Sequence, residues 1–372
     1  MIRVLHVIGA MDMGGAETIL MEIYRNIDKN LFQFDFAVHT DKKCLYDDEI
    51  ESIGGKIYRF KKFNGLNYIS YKRQWKKFFR NHREFDIIHG HIGSSSAIYL
   101  KVARNNGIKA IAHSHATNNK KSGISIHGLI WKLYSFPTRY IANYYLACSI
   151  NAGIDRFGKK IIISDKFSVL NNGINPYKFK YNNDYRKEIR NQFNIKENDF
   201  VIGNVGRLVE EKNHKFLIEI FSKIHENIKN SKLVIVGDGY LKNELKKEVE
   251  KFSLNEFVIF ASTRSDAYKF FSSFDVFVFP SISEGLGISA IEAQASGLKV
   301  ICSDALPLEA KVSDNLIFVS LKKNSSFWAN VIVSNKNCTD RETAYNVIKK
   351  NKYDINSSVK KLGEIYQQLM KE

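Results

Sequence analysis

Two glutamates, Glu284 and Glu292, bracket a glycine-rich turn in the stretch Phe279-Pro280-Ser281-Ile282-Ser283-Glu284-Gly285-Leu286-Gly287-Ile288-Ser289-Ala290-Ile291-Glu292. The apolar run 276–279 reads as a buried strand, and helical spacing begins near Gly287. The amides of Gly285, Leu286, Gly287 and Ile288 would then lie at a helix N-terminus. Such amides have no partner within the helix and carry partial positive charge, which suits a diphosphate or a sugar hydroxyl. Glu284 could reach a ligand lying over the loop. Glu292, roughly one and a half turns inside the helix, could accept hydrogen bonds from a vicinal diol such as ribose. A plainer reading makes Glu284 a helix cap and Glu292 a solvated helix residue. The glycines and the buried strand ahead of them favour the ligand reading.

A second group with the same chemistry is Gly206-Arg207-Leu208-Val209-Glu210-Glu211-Lys212-Asn213. Arg207 and Lys212 fall on a loop between a strand ending at Gly206 and a helix starting near Asn213. Two cations beside a helix N-terminus make a diphosphate site; pairing with Glu210 and Glu211 would instead make them plain surface charge. Gly237-Asp238-Gly239 resembles a phosphate loop, and backbone groups near Thr263 and Arg264 could read the edge of a base. Asp266 reads as a helix cap. Nearer the start, Gly14 and Gly15 follow the first strand and open a helix, but their spacing is not the dinucleotide-binding G-x-G-x-x-G.

His113 and His115 stand two apart on an extended stretch, which turns both rings to one side. Zinc would suit such a pair, yet no third ligand lies close in sequence, and a histidine at a strand end is more often structural. His89 and His91, after the preceding strand, could line an acceptor side.

The elements that must hold these residues form a regular series. Strands are predicted at 3–8, 34–39, 56–58, 87–89, 110–112, 144–147 and 167–170, alternating with helical stretches. A second series runs 200–206, 232–236, 257–260, 276–279, 298–302 and 315–319. Between them lies the turn-rich Asn171-Asn172-Gly173-Ile174-Asn175-Pro176. The pattern predicts two doubly wound parallel-sheet α/β domains, residues 1–172 and 173–354. In open sheets of this kind ligands bind at the carboxyl ends of the strands, where every group named above lies. A helix with apolar positions Val359, Leu362, Ile365, Tyr366 and Leu369 ends the chain.

At 372 residues the length fits two domains of ordinary size. The cysteines, Cys44, Cys148, Cys302 and Cys338, form no C-x-x-C pair, which speaks against zinc or disulfide frameworks and for a reducing cytoplasm. No run approaches 18 apolar residues, so no transmembrane helix is expected. The net charge is +17, and residues 52–139 hold 17 Lys and Arg against two acids, Glu84 and Asp86. Its densest part, 71–83, places Trp75, Phe78, Phe79 and His82 on one helical face flanked by cations. Basic charge interleaved with aromatics suits an anionic membrane surface and equally a nucleic acid; the bland alternative is a solvated helix whose aromatic side packs on its own domain. The stretch 120–140, with Trp131, Tyr134, Phe136 and Tyr140 among Lys120, Lys121, Lys132 and Arg139, could belong to the same face.

The Glu284/Glu292 segment resembles the E-x7-E signature of retaining glycosyltransferases of family 4, the group 1 glycosyltransferases with the GT-B fold. The resemblance extends to Gly14-Gly15, His115, the G-R-L-x-x-E-K-N run at Gly206–Asn213 and the Asn-Gly-x-Asn run at 172–175. It implies two Rossmann-like domains facing a cleft, with an acceptor-binding N-terminal domain, a nucleotide-sugar-binding C-terminal domain and a terminal helix, 355–372, packed back on the first. It implies transfer of a hexose from a nucleotide diphosphate sugar with retention at the anomeric carbon. Glu284, His115, Arg207 and Lys212 take the catalytic roles. Gly15, Gly206, Gly237, Thr263, Arg264, Gly285, Leu286, Gly287, Ile288 and Glu292 take the donor. No D-x-D motif is present, so no metal and no cofactor are expected. UDP is the expected nucleotide by family frequency. The expected acceptor is a lipid-linked or saccharide chain in capsule or exopolysaccharide synthesis. The protein would work in the bacterial cytoplasm, peripheral on the inner face of the membrane, with no nucleic-acid partner. Two alternatives are a GT-B nucleotide-sugar epimerase or hydrolase, and a basic nucleic-acid-binding protein.

Overall fold

The structure, a computed structural model, describes residues 1–12, 14–115, 134–336, 341–351 and 353–372. The chain divides into two compact units, Met1–Gly173 with Ile355–Glu372, and Ile174–Asp354. Each is built on one parallel sheet.

The first sheet contains β1 (Ile2–Ile8), β2 (Phe32–Val38), β3 (Ile57–Arg59), β4 (Ile87–Gly90), β5 (Lys109–Ser114), β6 (Tyr144–Ala147) and β7 (Phe167–Val169). Their order is β3-β2-β1-β4-β5-β6-β7. The strands read as near-continuous apolar runs because helices cover both faces. One face packs Leu5, Val7, Ile88, Ala110 and Ala112 against Trp75, Phe79 and Tyr99. The other carries His6 beside Phe34 and Phe36 and is covered partly by the terminal helix Ile355–Lys371, whose Tyr366 packs on Phe32 and Phe34.

The second sheet contains β8 (Phe200–Val205), β9 (Ser231–Val236), β10 (Val258–Phe260), β11 (Val276–Phe279), β12 (Lys299–Ser303) and β13 (Leu316–Val319), in the order β10-β9-β8-β11-β12-β13. In both sheets the winding direction reverses once, between β1 and β4 and between β8 and β11. Such a switch point leaves a crevice at the strands' carboxyl ends.

The basic helix Tyr68–Asn81 corrects one expectation. Trp75 and Phe79 are buried, and Trp75 stacks on Phe60 at 4.0 Å between centroids. Its aromatic side closes the core of its own unit, so any attraction to a membrane rests on the exposed Arg73, Lys76, Lys77, Arg80 and Arg83 alone. Of the stretch 120–140, residues 120–133 lie outside the described residues; Tyr134 packs on Phe63, while Phe136 and Tyr140 are exposed. Among the described residues no helix is long and apolar enough to cross a membrane.

Candidate active site

In the second unit the loops after β8, β9, β10 and β11 are laced together by their backbones. Gly206 N–H donates to Val236 O, Leu208 N–H to Asp238 O and Gly237 N–H to Ser262 O, each at 2.9 Å. The contact leaves no room for a side chain at Gly237, where φ is +138° and a Cβ would sit 2.1 Å from Gly206 O. Thr263 and Arg264 follow on the β10 loop. The Arg264 side chain is committed to a two-point pair with Asp266, at 2.7 and 2.8 Å, leaving backbone as what this position can offer a ligand. That pair also corrects the reading of Asp266: it stands at the N-cap of the helix Ala267–Ser273 without capping it through its side chain.

Across the switch point, the β8 and β11 loops meet. Lys212 Nζ lies 2.6 Å from Glu284 Oε1 and 4.7 Å from the centre of the Phe279 ring. Asn213, in the left-handed region at φ 57°, precedes the helix His214–Asn227 and donates from Nδ2 to Pro280 O at 3.1 Å. Ile282 N–H donates to Glu211 O at 2.8 Å. Lys212 therefore pairs with Glu284 across the loops, while Arg207 is exposed beside the same turn.

Gly287, at φ +82°, is the N-cap of the helix Ile288–Ala295, so Glu284 is not the cap. Leu286 is buried and anchors the turn. Glu292 is half-buried on the first turns of this helix. The arrangement gathers two cations, two carboxylates and a helix N-terminus at the carboxyl ends of β8 and β11. It can take an anionic diphosphate and leave polar groups for the hydroxyls of an attached sugar.

In the first unit, Gly14 is the N-cap of the helix Gly15–Asn26, and Gly15 is its exposed first residue. The β1–β4 register sets His6 opposite His89. The alternation of strands then carries His91, His113 and His115 to the same face, toward the carboxyl ends. Two hydrogen-bonded chains result. His6 Nδ1 lies 3.0 Å from His91 Nε2, and His91 Nδ1 lies 2.7 Å from His115 Nε2. Tyr366 OH lies 2.7 Å from His89 Nδ1, and His89 Nε2 lies 3.2 Å from His113 Nδ1. Burial pushes His6 down to about 3 and His115 to about 4, and takes His89, His91 and His113 well below the usual histidine range. All five are neutral at pH 7.

This array changes two expectations. His89 is buried with both ring nitrogens engaged, so it does not line an acceptor surface. The third ring absent from the sequence neighbourhood of His113 and His115 is His91, whose nitrogens come within coordination reach of theirs. His6 and Tyr366 were missed by sequence reasoning. His6 carried a signal, a histidine inside the apolar run 4–8; Tyr366 carried none, because its partner is 277 positions away.

Residues 13–178 match the family described as Glycosyltransferase Family 4, and residues 185–351 match the family described as Glycosyl transferases group 1. The chain is 33% identical to the putative glycosyltransferase EpsF of Bacillus subtilis, over 89% of this chain and 86% of that one. This chain belongs to the group 1 glycosyltransferases. A further relative, 28% identical over 72% of this chain and 73% of its own, is the Escherichia coli UDP-Gal:alpha-D-GlcNAc-diphosphoundecaprenol alpha-1,3-galactosyltransferase. Among solved structures, Anabaena Alr3699/HepE in complex with UDP and glucose aligns over 99% of this chain and 100% of that chain, with a TM-score of 0.81 and 17% identity. That likeness is one of fold, and the fold is GT-B. Within this group 1 glycosyltransferase, the E-x7-E pair is Glu284 and Glu292, the first bound to Lys212 and the second on the helix behind it.

Proposed function

We infer that this glycosyltransferase is a retaining hexosyltransferase. It would move a sugar from a nucleotide diphosphate donor, UDP in the first instance, to a lipid-linked or saccharide acceptor in capsule or exopolysaccharide assembly. The observation that carries the reading is the Lys212–Glu284 pair, 2.6 Å apart, beside Arg207 and the Gly285–Ile288 amides. The relatives' names point the same way: one enzyme uses UDP-Gal on a diphosphoundecaprenol-linked sugar, and HepE is found with UDP and glucose.

In the proposed reaction the anomeric C–O bond breaks and its electron pair goes to the departing diphosphate oxygen. The acceptor hydroxyl attacks from the same face, and its proton passes to that oxygen. Arg207, Lys212 and the helix amides stabilise the charge that develops on the diphosphate. Glu284 holds sugar hydroxyls, Glu292 the ribose, and the backbone at Gly206, Gly237, Thr263 and Arg264 the rest of the nucleotide. Gly15 bounds the donor, and His115 gives a hydrogen bond to the transferred sugar. No residue is assigned as a covalent nucleophile, and these cations take the place of a metal. The exposed cations of the helix Tyr68–Asn81 would hold the enzyme on the anionic inner face of the membrane.

The test is slow hydrolysis of UDP-glucose by the enzyme in EDTA, with the first anomer released followed by NMR. We expect α-glucose and undiminished turnover. First release of β-glucose would overturn retention, and loss of turnover in EDTA would overturn metal independence.

A further inference from the structure

Five histidines and a tyrosine from four separate segments meet on one face of the first sheet, and the donor-site chemistry uses only one of them. Their hydrogen bonds leave little freedom in where the protons sit. A neutral imidazole donates from one nitrogen and accepts at the other, so each chain has only two self-consistent arrangements, which run in opposite directions.

Tyr366 decides the direction of one chain. It is fully buried, and its hydroxyl has a single hydrogen-bond partner among the described residues, His89 Nδ1. If the hydroxyl donates, His89 is protonated on Nε2, and His113 must accept at Nδ1 and carry its proton on Nε2. The opposite direction would strand the hydroxyl hydrogen in the core, where an unmade bond costs most. The second chain, His6–His91–His115, has a buried atom without a partner among the described residues at each end, His6 Nε2 and His115 Nδ1, so its two directions are equivalent on these bonds. Both chains end at the ligand-binding edge of the sheet on atoms with no partner among the described residues, His113 Nε2 and His115 Nδ1.

We propose that the first relay forms a built donor in which His113 Nε2–H is offered to an oxygen of the substrate, with Tyr366 and His89 acting as positioning residues. The buried Arg156 side chain, which donates to Ile92 O at 3.4 Å and Ser96 Oγ at 3.2 Å, brings positive charge to bear on His113 and favours a phosphoryl oxygen as that acceptor. The arrangement disfavours a metal ion although two triplets of rings, His6 with His89 and His91 and His91 with His113 and His115, lie within coordination reach, because both nitrogens of His89 and of His91 are already engaged and His113 Nε2 carries a proton. The identity of the oxygen rests on the proposed donor chemistry; the proton positions do not.

The test is a long-range nitrogen–proton correlation spectrum of the full chain labelled with 15N-histidine, for wild type and Tyr366→Phe. Wild type should show His113 protonated at Nε2, favoured by more than about ten to one, the factor that an unmade buried hydrogen bond sets. Tyr366→Phe fills the same space without the hydroxyl and should leave His89 and His113 as mixed tautomers. Inorganic phosphate or UDP should shift the His113 signals, phosphate alone if an isolated phosphoryl group suffices and UDP alone if the nucleotide is required. Zn2+ should leave them unchanged. His113 protonated at Nδ1, an unchanged His113 in Tyr366→Phe, or stoichiometric Zn2+ uptake by the array would each overturn the proposal. If Tyr366→Phe fails to fold, the wild-type spectrum alone decides. Correct tautomers without any response to UDP would instead count against the donor reading.

Discussion

Lys212 is fixed before any ligand arrives, with Glu284 at 2.6 Å and the Phe279 ring beneath its ammonium. A charge held in place in this way needs no rearrangement when the leaving diphosphate develops its own. Lys212→Met should therefore lower kcat by about 100- to 1,000-fold, the usual effect of removing one preorganised stabilising group, while leaving the melting temperature within a few degrees. A tenfold loss or less, measured by UDP release, would move the catalytic charge elsewhere. Glu292→Ala should act differently, weakening nucleotide binding by about tenfold or more through a lost charge-assisted hydrogen bond, about 1.5–3 kcal/mol. At this scale the sequence was legible where spacing and neighbours were local. Gly287 beside Ile288, or Arg207 five positions before Lys212, can be read along the chain. The Lys212–Glu284 pair spans 72 positions, and no periodicity foretells it.

Elements follow more directly from the residues, because strands buried on both faces must be apolar runs. The run at 144–147 coincides with β6 (Tyr144–Ala147), and the others fall within two residues of the strands found. What the runs do not encode is register, and it is register that sets His6 opposite His89. The amphipathic helix Tyr68–Asn81 shows a different limit: sequence gives its two faces, but only packing decides that Trp75 points inward. The helix Asn183–Gln192 is clamped to the second sheet by Arg190, 1% exposed, which donates to Asp275 at 2.8 Å and to the carbonyls of Ser273, Lys196, Glu197 and Asp199. Asp275→Ala would leave that guanidinium buried without its counter-charge and should cost about 3–5 kcal/mol in urea unfolding. A loss below about 1 kcal/mol would show that the carbonyls suffice.

For the whole molecule the buried histidines make stability depend on pH. His6 is pushed down to about 3, and His39, His115 and His214 to about 4, all chiefly by burial; His89, His91 and His113 are shifted the same way. Below about pH 6.5 the unfolded chain takes up protons that the folded chain refuses. Stability is thus complete above that value and falls as the pH drops toward 4, by up to about 1.4 kcal/mol per pH unit for each such histidine. The melting temperature should fall steeply between pH 6.5 and 4.5, and a flat profile would mean that the array is hydrated in solution.

The fold class and the family could be read from the sequence because both depend on runs and motifs spread along the chain. The base, the sugar and the acceptor could not, since no residue type names them. The most direct measurement is therefore a thermal-shift panel of UDP, GDP, ADP and UDP-sugars on wild type and Glu292→Ala. At about a hundred times its dissociation constant a ligand adds about 2.7 kcal/mol to the native state. We expect UDP and a UDP-sugar to raise the melting temperature of wild type by several degrees, and Glu292→Ala to lose most of that rise. No shift with any nucleotide, or an equal shift in Glu292→Ala, would contradict a nucleotide-sugar site at the loops after β8 and β11.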